Sequence, residues 1–109
     1  MAVSLPDVIT AYFEVSNGAD ITHLTHCFTP DAVVLDEGRI HRGHEAIQSW
    51  QREAQMKSEY SVEPLGVVRE GDRMTVTAKV AGNFPGSPVQ LEHVFDLAGD
   101  KIRSLEIKP

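Results

Sequence analysis

Apolar residues recur along the chain at two different intervals, and the interval changes once, near Glu59. Before that point Leu5, Val8, Ile9, Tyr12 and Phe13 fall at helical spacing. They predict a first helix with Ser4 as N-cap, Pro6 in the first turn and Asp7 completing a box-like pair, stopped by Asn17-Gly18. Asp20 is placed to cap a second, shorter helix through Ile21, Leu24 and Phe28, which Thr29-Pro30 ends. An apolar strand follows over 31–36, then a turn at Glu37-Gly38-Arg39, then a third helix after Gly43 with Ala46, Ile47, Trp50 and Ala54 on one face. From Glu59 onward the period is two. Strands are expected over 60–69, 73–84, 89–97 and 101–107, with hairpin turns at Glu70-Gly71-Asp72 and Ala98-Gly99-Asp100. Helices first and an antiparallel meander afterwards mean an α+β fold with the helices gathered on one face of the sheet.

Composition narrows the partners. A chain of 109 residues fits one domain, here 1–109, with a single core. Ten Lys+Arg against sixteen Asp+Glu give a net charge of -6, and the basic residues are scattered. That argues against nucleic acid and against an anionic membrane surface. No apolar run is long enough to span a bilayer, and the N-terminus has neither a basic start nor a long apolar segment. With Cys27 the single cysteine, no internal disulfide can form, and the cytoplasm is the expected location.

Several short motifs, in order, carry a resemblance. They are Tyr12-Phe13 ahead of Gly18-Ala19-Asp20, then Cys27-Phe28-Thr29-Pro30-Asp31-Ala32, then Arg42-Gly43-His44-Glu45-Ala46-Ile47, and His93-Val94-Phe95 ahead of Gly99-Asp100-Lys101-Ile102. Together they resemble the nuclear transport factor 2-like superfamily, and within it the SnoaL-like and ketosteroid isomerase-like group. The resemblance spans nearly the whole chain. It implies a conical, strongly curved antiparallel sheet wrapping the three helices, a central pocket for a small apolar or carbonyl-containing ligand, no cofactor, and a homodimer formed through the outer face of the sheet.

The strand over 31–36 ends in a carboxylate, Asp36, which shares a strand face with Val34 and Ala32. If Val34 faces a pocket, so does Asp36, near its mouth. A carboxylate on an apolar wall is under-hydrated and becomes a better proton acceptor. The resemblance implies the same role, since Asp36 falls where ketosteroid isomerases keep their general base. The base there is commonly followed by proline, whereas Glu37 follows here. The alternative is that Asp36 begins a solvated Asp-Glu-Gly turn.

Tyr12, on the apolar stripe of the first helix, needs a partner for its hydroxyl once buried. Its spacing to Asp20 resembles that of the isomerases' oxyanion-stabilising tyrosine. On the strand over 89–97, Val89, Leu91, His93, Phe95 and Leu97 share a face, and Glu92 lies with Gln90 and Asp96 on the other. That places His93 inward, although an ungapped alignment with the isomerases would choose Glu92. Val34, Trp50, Leu91 and Phe95 are expected to line the pocket.

The pairs His23/His26 and His41/His44 have a spacing that could serve a metal on a helix, but no supporting ligand accompanies them, so no metal site is expected. Cys27 adjoins an apolar stripe without a basic neighbour and reads as a buried thiol. Two functions follow. One is an isomerase or cyclase in which Asp36 moves a proton at carbon next to a carbonyl while Tyr12 and His93 stabilise the oxyanion. The other is a ligand-binding or assembly module without chemistry, whose pocket would be filled by Tyr12, Trp50 and Met56.

Overall fold

The computed structural model describes residues 4–57 and 59–109. Helix α1 (Asp7–Ser16) is followed by a 3-10 turn (Ile21–His23) that runs into the short α2 (Leu24–Cys27), and α3 (His44–Lys57) comes after the first hairpin. Six strands, β1 (Phe28–Asp36), β2 (Arg39–Arg42), β3 (Tyr60–Glu70), β4 (Arg73–Gly82), β5 (Val89–Ala98) and β6 (Lys101–Lys108), form one sheet in the order β2-β1-β6-β5-β4-β3. Three helices on a curved, unclosed sheet make an α+β architecture, with the helices gathered on one face.

The sheet is mixed in one place. β1 and β6 run parallel, while the other neighbouring pairs are antiparallel. Three register shifts bend it: between Phe28 and Val33 in β1, between Pro64 and Gly66 in β3, and between Asp96 and Leu97 in β5. An unpaired residue on one strand sharpens local twist and curvature, which lets the sheet wrap the helices. Pro64 is tolerated because β3 is an edge strand.

Periodicity set the buried stripes correctly, but several boundaries moved. The first helix begins at Asp7, with Pro6 in the capping position and no side-chain cap, so Ser4 does not serve as its N-cap. Asp20 does cap the next element, its Oδ1 accepting from the Thr22 N–H at 2.9 Å. That segment tightens to a 3-10 turn and stops at Cys27; Phe28, Thr29 and Pro30 already belong to β1, where pairing with β6 outweighs helical spacing. The strand β2 was not anticipated. Its residues, Arg39-Ile40-His41-Arg42, are mostly exposed and have no apolar alternation, and pairing to β1 alone makes them a strand.

The core lies between helices and sheet. Ile9 and Phe13 from α1, Leu24 and Cys27 from α2, and Ile47 from α3 pack on Val34, Val76, Phe95, Ile102 and Leu105 of the sheet. Asn17, just past α1, ties the helix to the edge strand: its Oδ1 accepts from the Val62 N–H at 2.7 Å and its Nδ2 donates to the Val62 carbonyl at 2.9 Å. Among the described residues no helix is long and apolar enough to cross a membrane.

Candidate active site

Asp36 is the last residue of β1, opposite Arg39 of β2 and Ile107 of β6. Ala32 and Val34, on the same face, are fully buried, so alternation carries Asp36 to the inner side where the strand leaves the core. The chain then reverses through Glu37 (φ 52°) and Gly38 (φ 76°). Two successive positive φ values mark the two-residue hairpin turn that matches strand twist. Glycine adopts that backbone freely; glutamate does so at a cost on the order of 1 kcal/mol.

Trp50, on the inner face of α3, donates its indole N–H to Asp36 Oδ2 at 3.0 Å. This bond fixes the orientation of the carboxylate. The indole ring is nearly buried and faces the His41 imidazole, with centroids 6.0 Å apart.

Two phenols stand close by. Tyr12 is packed edge-on against Phe13, Phe28 and Phe95. Burial holds its hydroxyl far above the usual phenol range; the Ser16 side chain opposes this, and Tyr60 and Asp36 add to it. Tyr60 is also pushed up by burial, offset by the hydrogen bond from Gln51 and reinforced by Asp36. Gln51 Nε2 donates to the Tyr60 hydroxyl at 3.0 Å. Both phenols therefore stay protonated and able to donate.

His93 sits in β5 between Val76 of β4 and Ile107 of β6, only 3% exposed. Its ring contacts those of Phe13, Tyr12 and Phe95 at centroid distances of 5.3, 6.3 and 6.3 Å. Burial brings its pKa down to about 4, with a loose contact to the Leu91 backbone working against the shift. The imidazole is neutral at physiological pH, and its Nδ1 has no hydrogen-bond partner. A buried polar atom of this kind costs free energy unless a water or ligand completes it.

These groups border one cavity of about 160 Å3, walled by Tyr12, Ser16, Asp36, Glu37, Trp50, Gln51, Tyr60 and His93 together with apolar residues including Val62, Phe84 and Leu91. Of the residues expected from sequence, Tyr12, Asp36, His93, Trp50 and Leu91 meet there. Val34 and Phe95 do not: both are fully buried in the packed core. They share faces with Asp36 and His93 but lie two residues deeper, where side chains fill the space. Glu92 is absent from the cavity wall. Gln51, Tyr60 and Ser16 were missed. A glutamine on the inner face of α3, four residues after Ile47, was the available signal for Gln51; Tyr60 alternates with Val62, and Ser16 follows Tyr12 by four.

The remaining candidates have structural surroundings. His44 Nε2 lies 2.8 Å from the Phe28 carbonyl. Cys27 is buried, its Sγ donating to the His23 carbonyl at 3.5 Å, and burial pushes its thiol pKa up. Met56 points to solvent, 79% exposed, and leaves the cavity unfilled.

The fold resembles those of known structures. A protein of ketosteroid isomerase-like fold from Catenulispora acidiphila, in complex with trimethylamine, superposes with a TM-score of 0.84 at 22% identity, over 97% of this chain and 87% of that one. A SnoaL-like protein from Jannaschia, provisionally assigned as a polyketide cyclase, gives 0.77 at 19% identity, over 93% and 81%. No match was found among functionally curated proteins. A provisionally assigned polyketide cyclase from Sinorhizobium meliloti is 43% identical over 95% of both chains, with a TM-score of 0.91. The model of the SnoaL-like domain matches residues 9–105, and this chain belongs to that family.

Proposed function

We propose that the protein is a cofactor-independent isomerase or cyclase that moves a proton at a carbon next to a carbonyl. One observation carries the reading: Tyr12, Asp36 and His93 border the same cavity, with Asp36 held by the Trp50 indole. Asp36 takes the proton from the α-carbon. The C–H electron pair forms the new C=C bond as the carbonyl π pair moves onto oxygen. The Tyr12 hydroxyl, and the neutral His93 imidazole through its ring N–H, donate to that oxygen. Neutral donors suit this step because neither needs a counter-charge on a largely apolar wall. Where the ligand is a β,γ-unsaturated ketone, Asp36 returns the proton to the γ-carbon of the dienolate as the carbonyl re-forms, as an isomerase does; where it holds a second carbonyl, the enolate carbon attacks that carbon, whose π pair moves onto oxygen and takes the proton back from Asp36, as a cyclase does.

A cavity of about 160 Å3 is the size of an engineered protein cavity that holds benzene. The reacting portion of the ligand is accordingly a single ring or an acyclic equivalent. The reading includes a cytoplasmic homodimer: Val33 and Leu35 on the outer face of β1 are only half-buried, and Leu65 and Val68 on β3 are exposed. Sedimentation at micromolar concentration tests the dimer.

The chemistry is tested with a panel of small enolisable ketones and lactones, following exchange of α-protons with deuterated water. Asp36→Asn keeps shape and removes the accepting charge. Exchange should fall about a hundredfold or more, with the thermal melt unchanged or raised. A variant that retains full activity on any turned-over substrate would make Asp36 a turn residue and end the assignment.

A further inference from the structure

Glu37 is not needed for the proton transfer, yet it borders the cavity at the mouth, next to the base. It also occupies a backbone conformation, φ 52°, that asparagine or glycine would adopt with less strain. Around it the wall is lopsided in charge. Asp36 and Glu37 are carboxylates, and no lysine or arginine among the described residues reaches the cavity. The phenols of Tyr12 and Tyr60 are neutral, and Trp50, Phe84, Tyr12 and Tyr60 present aromatic surface. Independently, His93 on the same wall is only 3% exposed, and its Nδ1 has no hydrogen-bond partner.

From these we infer that the site takes a small ligand carrying two groups, a carbonyl for His93 and Tyr12 and a positive charge, an alkylammonium, held by Glu37 and the aromatic wall. Carboxylates and aromatic faces both attract a weakly hydrated organic cation. Within the cavity an anionic ligand meets no compensating charge, the cations Arg39, Lys57 and Lys108 bordering adjoining depressions that share Asp36 and Glu37. The ammonium belongs with Glu37 because Asp36 is already engaged by Trp50 and, in the proton-transfer reading on which the placement of the carbonyl rests, must stay free for the α-proton. The strained glutamate then serves selection of charge at the expense of the turn.

The test compares acetonyltrimethylammonium with neopentyl methyl ketone, in which carbon replaces the charged nitrogen without change of shape. Trp50 is the single tryptophan, so its fluorescence reports occupancy of the cavity without turnover. The cation should bind about tenfold tighter than the neutral ketone, and added salt should weaken the preference. Glu37→Asn should cut that preference about threefold or more while raising the melting temperature, because asparagine suits the turn. Glu37→Gln, which removes the charge and keeps the length, should cut it equally with little change in melting. Equal binding of the two ketones, no binding of the cation, or a preference that survives both variants overturns the inference. Selective binding of the cation without exchange of its α-protons above the buffer rate supports the charge selection and sinks the proton-transfer reading instead.

Discussion

The interior of this protein has two ends built from the same elements, and they behave as different materials. On α1, Ile9 and Phe13 pack in the core, while Tyr12 and Ser16 border the cavity. On β1 the core pair is Ala32 and Val34, and the next inward residue is Asp36. On α3, Ile47 gives way to Trp50 and Gln51; on β5, Phe95 gives way to His93 and Leu91. In each case one repeat of the element, two residues in a strand or three to four in a helix, separates a packed apolar contact from a polar group on a void. A face is chosen by periodicity, but the change from core to site is set by depth along that face.

The sharpest way to break this comparison is to truncate matched residues at the two ends. Phe95 is fully buried against Tyr12 and Phe13, so Phe95→Ala should cost about 3–5 kcal/mol, because the rings around it cannot close the gap. Leu91 already borders empty space and is only partly buried, so Leu91→Ala should cost about 1 kcal/mol. Denaturant unfolding at neutral pH measures both. Equal losses would mean that the cavity end is packed as tightly as the core.

The same contrast explains what was legible in the sequence. Helix-then-strand order, the inward faces and the inward choice of His93 over Glu92 followed from spacing, since burying alternate residues is a local consequence of backbone geometry. Asp36 stood out as a candidate because a carboxylate on an otherwise apolar face is conspicuous, and it does border the cavity. Depth was not legible. Val34 and Phe95 carry the same apolar signal whether they touch a ligand or each other, and only the assembled sheet decides which. Likewise β2 and the parallel pairing of β1 with β6 depend on partners that are distant or feature-poor in sequence.

A second prediction sets the polar end against acid. His93 has a folded-state pKa of about 4, below the ordinary 6.5. Between those values the unfolded chain binds the proton and the folded chain does not, so stability rises with pH across this window. It is fully present above about pH 6.5 and is lost progressively as the pH falls towards 4, by about 3 kcal/mol in all. His93→Gln cannot titrate and should flatten the profile in that interval. The acid loss that persists below it belongs to carboxylates such as Asp96, whose pKa is lowered chiefly by its hydrogen bond to Arg73. An unchanged profile in the variant would show that His93 is solvated, and the two ends would then differ less than their burial implies.

The smallest expected effect concerns Trp50, which belongs to both ends at once: its ring fills space, and its N–H holds Asp36. Trp50→Phe keeps most of the apolar surface and removes the donor. If the ring is what matters, stability should fall by about 1 kcal/mol with no change in α-proton exchange. If the hydrogen bond matters, Asp36 loses its orientation, and exchange should fall several-fold, equivalent to about 1 kcal/mol, with KM nearly constant. We expect the second outcome, because a bond from an indole N–H to a carboxylate is charge-assisted and directional, whereas phenylalanine can occupy much of the same apolar space. Exchange rates and melts measured on the same variant separate the two.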